Sequence, residues 1–346
     1  MKSIKEYLLH ELEHNTSPQP VVTIIADLNY DYIYISPQLA GGREVLISDF
    51  TRNIAGAGGI VACGMAKLGA EVHFLTELGD DEDGNQLYRE ITNHGVYTDG
   101  IRIVADKRSP FTLIFTSEQE NTPRQVASFL GTSLTLSIDS MDYKKYVEKS
   151  HLVYSCNYFL LKKLREEIRF VFKYARDNKV FTAYDANAGD EWDNERALRT
   201  LRQSIYPHTD VIFLNENEAA FLTGIHDPQK SIHRIGHNSL TVVIKLGPQG
   251  SIIRHWNKMY RISAFPLRER IKDTVGAGDS FQAAFLYYYL RKFPIELCGV
   301  LGAANAASSV LERGGTRGQC SNQDILHFVK RYRINDRGNG QISIQA

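Results

Sequence analysis

Asp273-Thr274-Val275-Gly276-Ala277-Gly278-Asp279-Ser280-Phe281 runs straight into Gln282-Ala283-Ala284-Phe285-Leu286, an apolar pattern at helical spacing, so the glycines sit at a helix N-terminus. Such an end carries backbone N–H groups without partners and the positive pole of the helix dipole, which suits anionic oxygens, and glycine lets the backbone come close to them. Asp279 adds a carboxylate to the same turn. It is poorly suited to hold a phosphate but well suited to take a proton from an attacking hydroxyl. A glycine-rich turn whose Asp279 merely caps the helix would contain the same residues, so the surrounding chain has to decide.

Upstream of this turn, short apolar runs alternate with amphipathic segments. Val21–Ile25, Glu71–Leu75, Leu152–Tyr154, Val180–Tyr184, Val211–Leu214 and Thr241–Lys245 read as buried strands. Ile60–Leu68, Gln86–His94, Leu161–Arg176, Arg196–Ile205, Ala277–Arg291, Ile295–Leu311 and Asp324–Tyr332 read as helices. This alternation implies an α/β fold with a mainly parallel sheet covered on both faces. Two stretches break the rhythm, 32–49 and 100–129. Both are rich in β-formers, with no helix between their strands, and are expected to pair into one small sheet.

The full run at 273–279 resembles the signature of the ribokinase family, also called the phosphofructokinase-B family of carbohydrate kinases. The resemblance extends from Val21 to about Arg333 and implies a ribokinase-like three-layer α/β/α domain with a small β lid over the acceptor, which often mediates a homodimer. It implies that Gly276, Ala277 and Gly278 form an anion hole, that Asp279 is the base, and that Thr274 lies at the nucleotide. ATP and Mg²⁺ follow as cofactors. Val275, standing where relatives carry a threonine, leaves activation by a monovalent cation open.

Further matches arrive in the expected order. Asp27-Leu28-Asn29-Tyr30-Asp31 follows the first strand, at the carboxyl edge where α/β sheets bind ligands. The resemblance makes Asp31 the acceptor-binding carboxylate, with Asp27 and Asn29 as helpers. An ordinary polar turn would look alike. Gly56-Ala57-Gly58-Gly59-Ile60-Val61-Ala62 is similar to the family's Gly-Gly-x-x-x-Asn-x-Ala motif and places Gly58 and Gly59 at the acceptor, but Ile60 stands where the asparagine is expected. One amide contact to a hydroxyl is therefore lost, and an unusual acceptor is favoured. Asp185-Ala186-Asn187 resembles an Asp-x-Asn element that brings Asn187 to the nucleotide. Asn215-Glu216-Asn217-Glu218 looks like the motif that positions Mg²⁺ through water at Asn215 and Glu218, although a capping box has the same spacing. Lys245-Leu246-Gly247-Pro248-Gln249-Gly250 is similar to the nucleotide loop, with Lys245, Gly247 and Gly250 as contacts. Asn305 corresponds to an asparagine near the adenine. Small neighbours around it would equally serve close helix packing.

Composition narrows the partners. Of 346 residues, 40 are Lys or Arg and 40 Asp or Glu, so no net field recruits nucleic acid or an anionic membrane, and a small-molecule acceptor is expected. Four scattered cysteines with no Cys-x-x-Cys pair fit a reducing, cytoplasmic setting. No apolar stretch is long enough for a membrane span. Residues 1–20 read as a helical extension outside the main domain, 21–333 as the kinase domain, and 334–346 as a C-terminal tail. The extension contains His10-Glu11-Leu12-Glu13-His14, the His-Glu-x-x-His spacing of zinc proteases, but it offers no third ligand and little to bury a metal.

The sequence thus points to an ATP-dependent kinase acting on a sugar or sugar-like hydroxyl. A nucleoside acceptor, or a sensor that binds without catalysis, are the competing readings.

Overall fold

Val21–Ile25 forms the strand β1, and its side chains alternate between two separate apolar cores, Val22 and Ile24 into one and Ile25 into the other. Such a strand is buried on both faces, which is how a parallel sheet between helical layers must be built. The computed structural model describes residues 3–36, 46–116, 125–187, 195–235 and 241–346. In chain order its strands are β1, β2 (Asn29–Ile35), β3 (Asp49–Ala55), β4 (Glu71–Gly79), β5 (Ile101–Val104), β6 (Phe111–Thr116), β7 (Gln125–Phe129), β8 (Leu152–Cys156), β9 (Phe181–Asp185), β10 (Val211–Asn215), β11 (Thr241–Lys245), β12 (Ser251–His255), β13 (Lys258–Ile262), β14 (Arg333–Asp336) and β15 (Gln341–Gln345).

The main sheet has the order β14-β15-β13-β12-β11-β10-β9-β8-β1-β4-β5. From β11 to β5 every pairing is parallel. The helices Ala57–Leu68, Ala277–Leu290 and Ile295–Ser309 cover one face, and Leu164–Asp177 and Glu216–Thr223 cover the other. The chain leaves β1 toward β4 and β5 on one side and returns to β8, β9 and β10 on the other. The crevice at the carboxyl ends of β1 and β8 is therefore the switch point at which open α/β sheets take their ligands.

The second sheet has the order β3-β2-β6-β7 and is the expected lid, with shifted boundaries. Its strands begin at Asn29 and extend to Ala55, while Ile101–Val104 pairs with β4 in the main sheet. Asn29 and Asp31 consequently lie on a lid strand and not in a loop. Residues 37–45 and 117–124 of the two lid stretches lie outside the described residues.

Two boundary expectations are corrected. The tail at 334–346 contains a hairpin, β14 and β15, whose second strand pairs with β13 and extends the main sheet. The turn between them, Gly338-Asn339-Gly340, takes positive φ at all three residues, which glycine and asparagine adopt most readily. The N-terminal helix, Ile4–His14, is docked and not a free extension. Leu8 is fully buried in the same core as β1, and Lys5 Nζ donates to the carbonyls of Tyr332 (2.6 Å) and Lys330 (3.1 Å). Those carbonyls lie at the end of the helix Asn322–Lys330, where a cation is favoured.

Candidate active site

The glycine turn is formed as the sequence predicts. Ala277–Leu290 is a helix whose N-cap, Gly276, adopts a left-handed conformation (φ 72°), and no side chain caps it. A Cβ at Gly276 would lie 2.6 Å from Gly315 Cα, so the position admits no side chain on steric grounds as well. Ile60 occupies the gap beside this contact. Its Cδ1 would meet a Cβ on either Gly276 or Gly315, at 3.0 and 2.5 Å. The residue that replaces the expected asparagine thus packs against the backbone of the turn.

Beneath the turn lies a buried ion pair. Lys245, the last residue of β11, donates from Nζ to Asp185 Oδ2 at 2.7 Å, and Asp185 is fully buried at the end of β9. Gln282 Nε2 donates to the same oxygen, and Gln282 Oε1 accepts from Tyr154 at 2.8 Å. Burial alone would lower the Lys245 pKa, but Asp185, Glu218 and Asp279 together hold it above the ordinary value. A Cβ at Gly278 would lie 3.3 Å from Lys245 Nζ, so only glycine keeps the face of the turn open toward that ammonium.

Asp279 sits in the first turn of this helix. Burial pushes its carboxyl up to about 7. Lys245 opposes the rise, while Asp185, Asp27 and Glu218 add to it. A carboxyl poised near neutrality, beside an ammonium and uncapped amides, has the properties of a general base at an anion site.

The residues expected at the acceptor converge on the same crevice. Asp27, just past β1, accepts from Gly58 N (3.4 Å) and Cys156 Sγ (3.6 Å), and burial raises its pKa. A Cβ at Gly56 would come within 2.8 Å of both Asn29 Oδ1 and Asp27 Oδ2, and one at Gly58 within 2.3 Å of Ala26. These glycines let the helix Ala57–Leu68 start directly against the carboxylates. Gly59 is tightly packed on Leu28 and buried, so its role is that of close approach. Asn29 Nδ2 donates to Asp31 Oδ1 at 3.2 Å. Burial pushes Asp31 up to about 7, with the negative charges of Asp27 and Asp273 adding to the shift.

Other predicted contacts prove to be engaged within the fold. Asn215 and Glu218 form a full capping box, Oδ1 accepting from Glu218 N at 2.9 Å and Oε2 from Asn215 N at 2.7 Å. Asn305 donates to Ser280 O (2.7 Å) and accepts from Cys320 N (2.8 Å), so both polar ends of its side chain tie backbone together. Asn187, at φ 49°, accepts from Asn157 N at 3.1 Å across the crevice. Gly250 has φ 91° and abuts Ile262 O, which a Cβ would meet at 2.0 Å, while Gly247, at φ 54°, faces open space. Thr274 is exposed beside the turn.

Sequence reasoning passed over Asp185, Gln282, Asp273 and Gly314 as site residues. Asp273 heads the quoted run, and its carboxylate accepts from Val275 N and Gly314 N, each at 3.1 Å, fixing the turn to the loop after the helix Ile295–Ser309. The lid aromatics are turned to packing. Tyr32 bonds to Asp83 at 2.8 Å and meets Phe111 edge-on, and Arg52 lies 4.3 Å over Tyr30. By strand alternation these two tyrosines lie on the face opposite Asp31. His10 and His14 stack on the docked helix, and among the described residues no three His, Cys, Asp or Glu side chains converge to hold a metal. Nor does any described helix have the length and apolarity to cross a membrane.

The pattern of the pfkB family of carbohydrate kinases matches residues 20–322. An "Uncharacterized sugar kinase" of Archaeoglobus fulgidus is 29% identical over 259 residues, covering 74% of this chain and 97% of the relative. A "5-dehydro-2-deoxygluconokinase" of Clostridium tetani is 24% identical over 291 residues, 81% of this chain and 85% of that one. Among solved structures, the ribokinase of Arabidopsis thaliana complexed with ribose and ATP superposes with a TM-score of 0.77 at 21% identity, covering 90% of this chain and 99% of its own. The fold is accordingly ribokinase-like.

Proposed function

The chain belongs to the pfkB family of carbohydrate kinases, and we propose that it transfers the γ-phosphate of ATP to a hydroxyl of a small neutral sugar or sugar-like acceptor, with Asp279 as base. The observation that carries this reading is the carboxyl of Asp279, raised to about 7, in an uncapped helix turn beside Lys245. Asp31, with Asn29 and Asp27, orients the acceptor. As its oxygen forms the new bond to phosphorus, Asp279 takes the hydroxyl proton, and the bond to the β-phosphate oxygen breaks with its electrons leaving on ADP. The amides of Gly276, Ala277 and Gly278 face the charge on the phosphoryl group, and Lys245 supplies a fixed positive charge behind them.

The donor set suits Mg²⁺ held indirectly. Glu218 and Asn215 are already committed to a helix cap, so an ion would be carried mainly by the triphosphate and reach them through water. When bound it neutralises phosphate charge.

Charge favours a neutral acceptor. The negative charges of Asp27 and Asp273 already act on Asp31 in the acceptor half, and an acceptor carboxylate there would add a further like charge. The gluconate-type acid in the name of the Clostridium relative is therefore a poorer fit than a neutral sugar. Among the described lid residues, Tyr30 and Tyr32 are occupied on the other face and do not favour a nucleoside.

ATP consumption measured across sugars, sugar acids, nucleosides and vitamins tests the reading. ADP release with a neutral sugar is expected. Turnover with sugar acids alone overturns the neutral assignment, and binding without any phosphoryl transfer overturns the kinase reading in favour of a sensor.

A further inference from the structure

Of the buried lid atoms that lack a hydrogen-bond partner among the described residues, Tyr30 Oη lies on the far face and Asn53 Oδ1 stands next to Asp31. Asn53 on β3 is 4% exposed, its Nδ2 donates to Thr51 Oγ1 at 3.1 Å, and its Oδ1 has no hydrogen-bond partner. Leaving a buried carbonyl oxygen unpaired is unfavourable, so such an atom marks a place where a donor arrives from outside the protein. Turning the amide over would give Thr51 the oxygen and leave the NH₂ facing outward. Either orientation keeps one polar end available.

The lid register places that end. Asp31 and Asn53 are direct partners across the antiparallel pair β2 and β3, so their side chains leave the same face with Cβ atoms about 4.5–5.5 Å apart. On the other flank Asp31 is level with Thr112, whose hydroxyl hydrogen-bonds it, and Thr112 is level with Ser128. One polar row thus crosses the lid, with Asp31 and Asn53 as its carboxylate and amide. Asn53 also lies against the loop that holds the glycine turn. A Cβ on Gly314 would meet its Cγ at 2.4 Å, and Gly314 N donates to Asp273 at 3.1 Å.

We propose that Asn53 is a specificity-determining residue, reading through its side-chain amide the acceptor hydroxyl adjacent to the one gripped by Asp31, so that the pair selects a vicinal diol. The assignment rests on the kinase reading above. It gives the acceptor half an amide from β3, where Ile60 withholds one from the helix Ala57–Leu68.

The test uses the full chain and an acceptor sugar found in the panel, with its complete series of single-deoxy analogues. The unmodified enzyme is expected to lose about tenfold or more in kcat/KM on one analogue besides the one that lacks the reacting hydroxyl and the one that lacks the partner of Asp31. Asn53→Leu is expected to raise the KM of the parent sugar about tenfold, leave the KM of ATP unchanged, and abolish that analogue's penalty. Asn53→Asp, which keeps an accepting oxygen, is expected to restore part of the discrimination, and it carries the test if the leucine variant does not fold. A residue that merely props up Gly314 would weaken every analogue by one factor. An unchanged pattern of penalties in Asn53→Leu, or one uniform loss across all analogues in Asn53→Asp, overturns the role of Asn53 while turnover of the parent sugar keeps the kinase reading. Absence of turnover by the unmodified enzyme on every acceptor overturns both.

Discussion

The crevice has two halves built in different ways. The proposed phosphate half rests on elements that end or begin there: the glycine turn at the start of Ala277–Leu290, Lys245 at the end of β11 and Asp185 at the end of β9. Each is fixed by the main sheet and by the 2.7 Å ion pair between the last two. The acceptor half is mounted on a separate sheet. Asn29 and Asp31 stand on β2 and Asn53 on β3, and Asn53 lies against Gly314 of the main domain. A fixed half can stabilise developing charge without reorganisation, whereas a half carried by a lid can be revised residue by residue to change what is bound. The contrast teaches where to look for chemistry and where to look for choice.

The largest expected effect tests that division at its chemical end. Asp279→Asn should lower kcat by about 10²–10⁴-fold with ATP affinity by calorimetry nearly unchanged, and near-normal turnover would remove Asp279 from the role of base. Gly276→Ala should cost roughly 10²–10³-fold in kcat, because it must displace Gly315 from a contact a Cβ would make at 2.6 Å. If acceptor KM moves instead of kcat, the halves are not separable. Lys245→Met should destabilise the fold by about 3–5 kcal/mol by leaving Asp185 buried without its cation, read as a large drop in Tm. An unchanged Tm would mean the pair contributes little beyond charge at the turn.

A pH profile sharpens the comparison further. Asp279 and Asp31 must both be ionised for their proposed roles, and burial pushes both up to about 7. kcat/KM for the acceptor should therefore fall as pH drops below about 7, and Asp31→Asn should remove one of the two groups and make the acid limb shallower. The linkage to stability has the opposite sense. Both folded pKa values lie above the ordinary 3.8, so the folded protein binds more protons than the unfolded chain between about pH 4 and 7. The Tm of the ligand-free protein should decline as pH rises through that window. The smallest effect on catalysis belongs to Leu8→Ala, which should cost about 2–5 kcal/mol of stability yet leave kcat and both KM values of the folded enzyme as they were.

The proposed phosphate half was legible because its residues sit in contiguous runs, after strands or at the start of a helix. Asp279 needs only its own turn to be recognised. Asp185 does not stand out, because its meaning depends on Lys245, 60 positions away. Asn53 was invisible for the same reason: its neighbour Asp31 is fixed by strand register across a lid whose pairing no local pattern specifies. Capping complicates the matter from the other side, since Asn215 and Glu218 satisfy a local backbone requirement with the spacing that a metal motif also uses. The parallel strands were readable as apolar runs. The hairpin β12 and β13 was not, because its turn passes through Trp256 at φ 53° with no glycine to announce it. Gly338-Asn339-Gly340 did carry a turn signal, but the short strands beside it have only two buried residues on one and one on the other, too little to distinguish them from a tail.

The docked first helix has a consequence for how the chain is made. Its partners are synthesised much later: Glu13 pairs with Lys330, 317 positions on, and Lys5 reaches Tyr332. At translation speeds of about 5–20 residues per second, the nascent chain carries the apolar face around Leu8 uncovered for roughly 15–60 s before the helix Asn322–Lys330 exists to receive it. This helix is thus seated only after the far end of the kinase domain has been made.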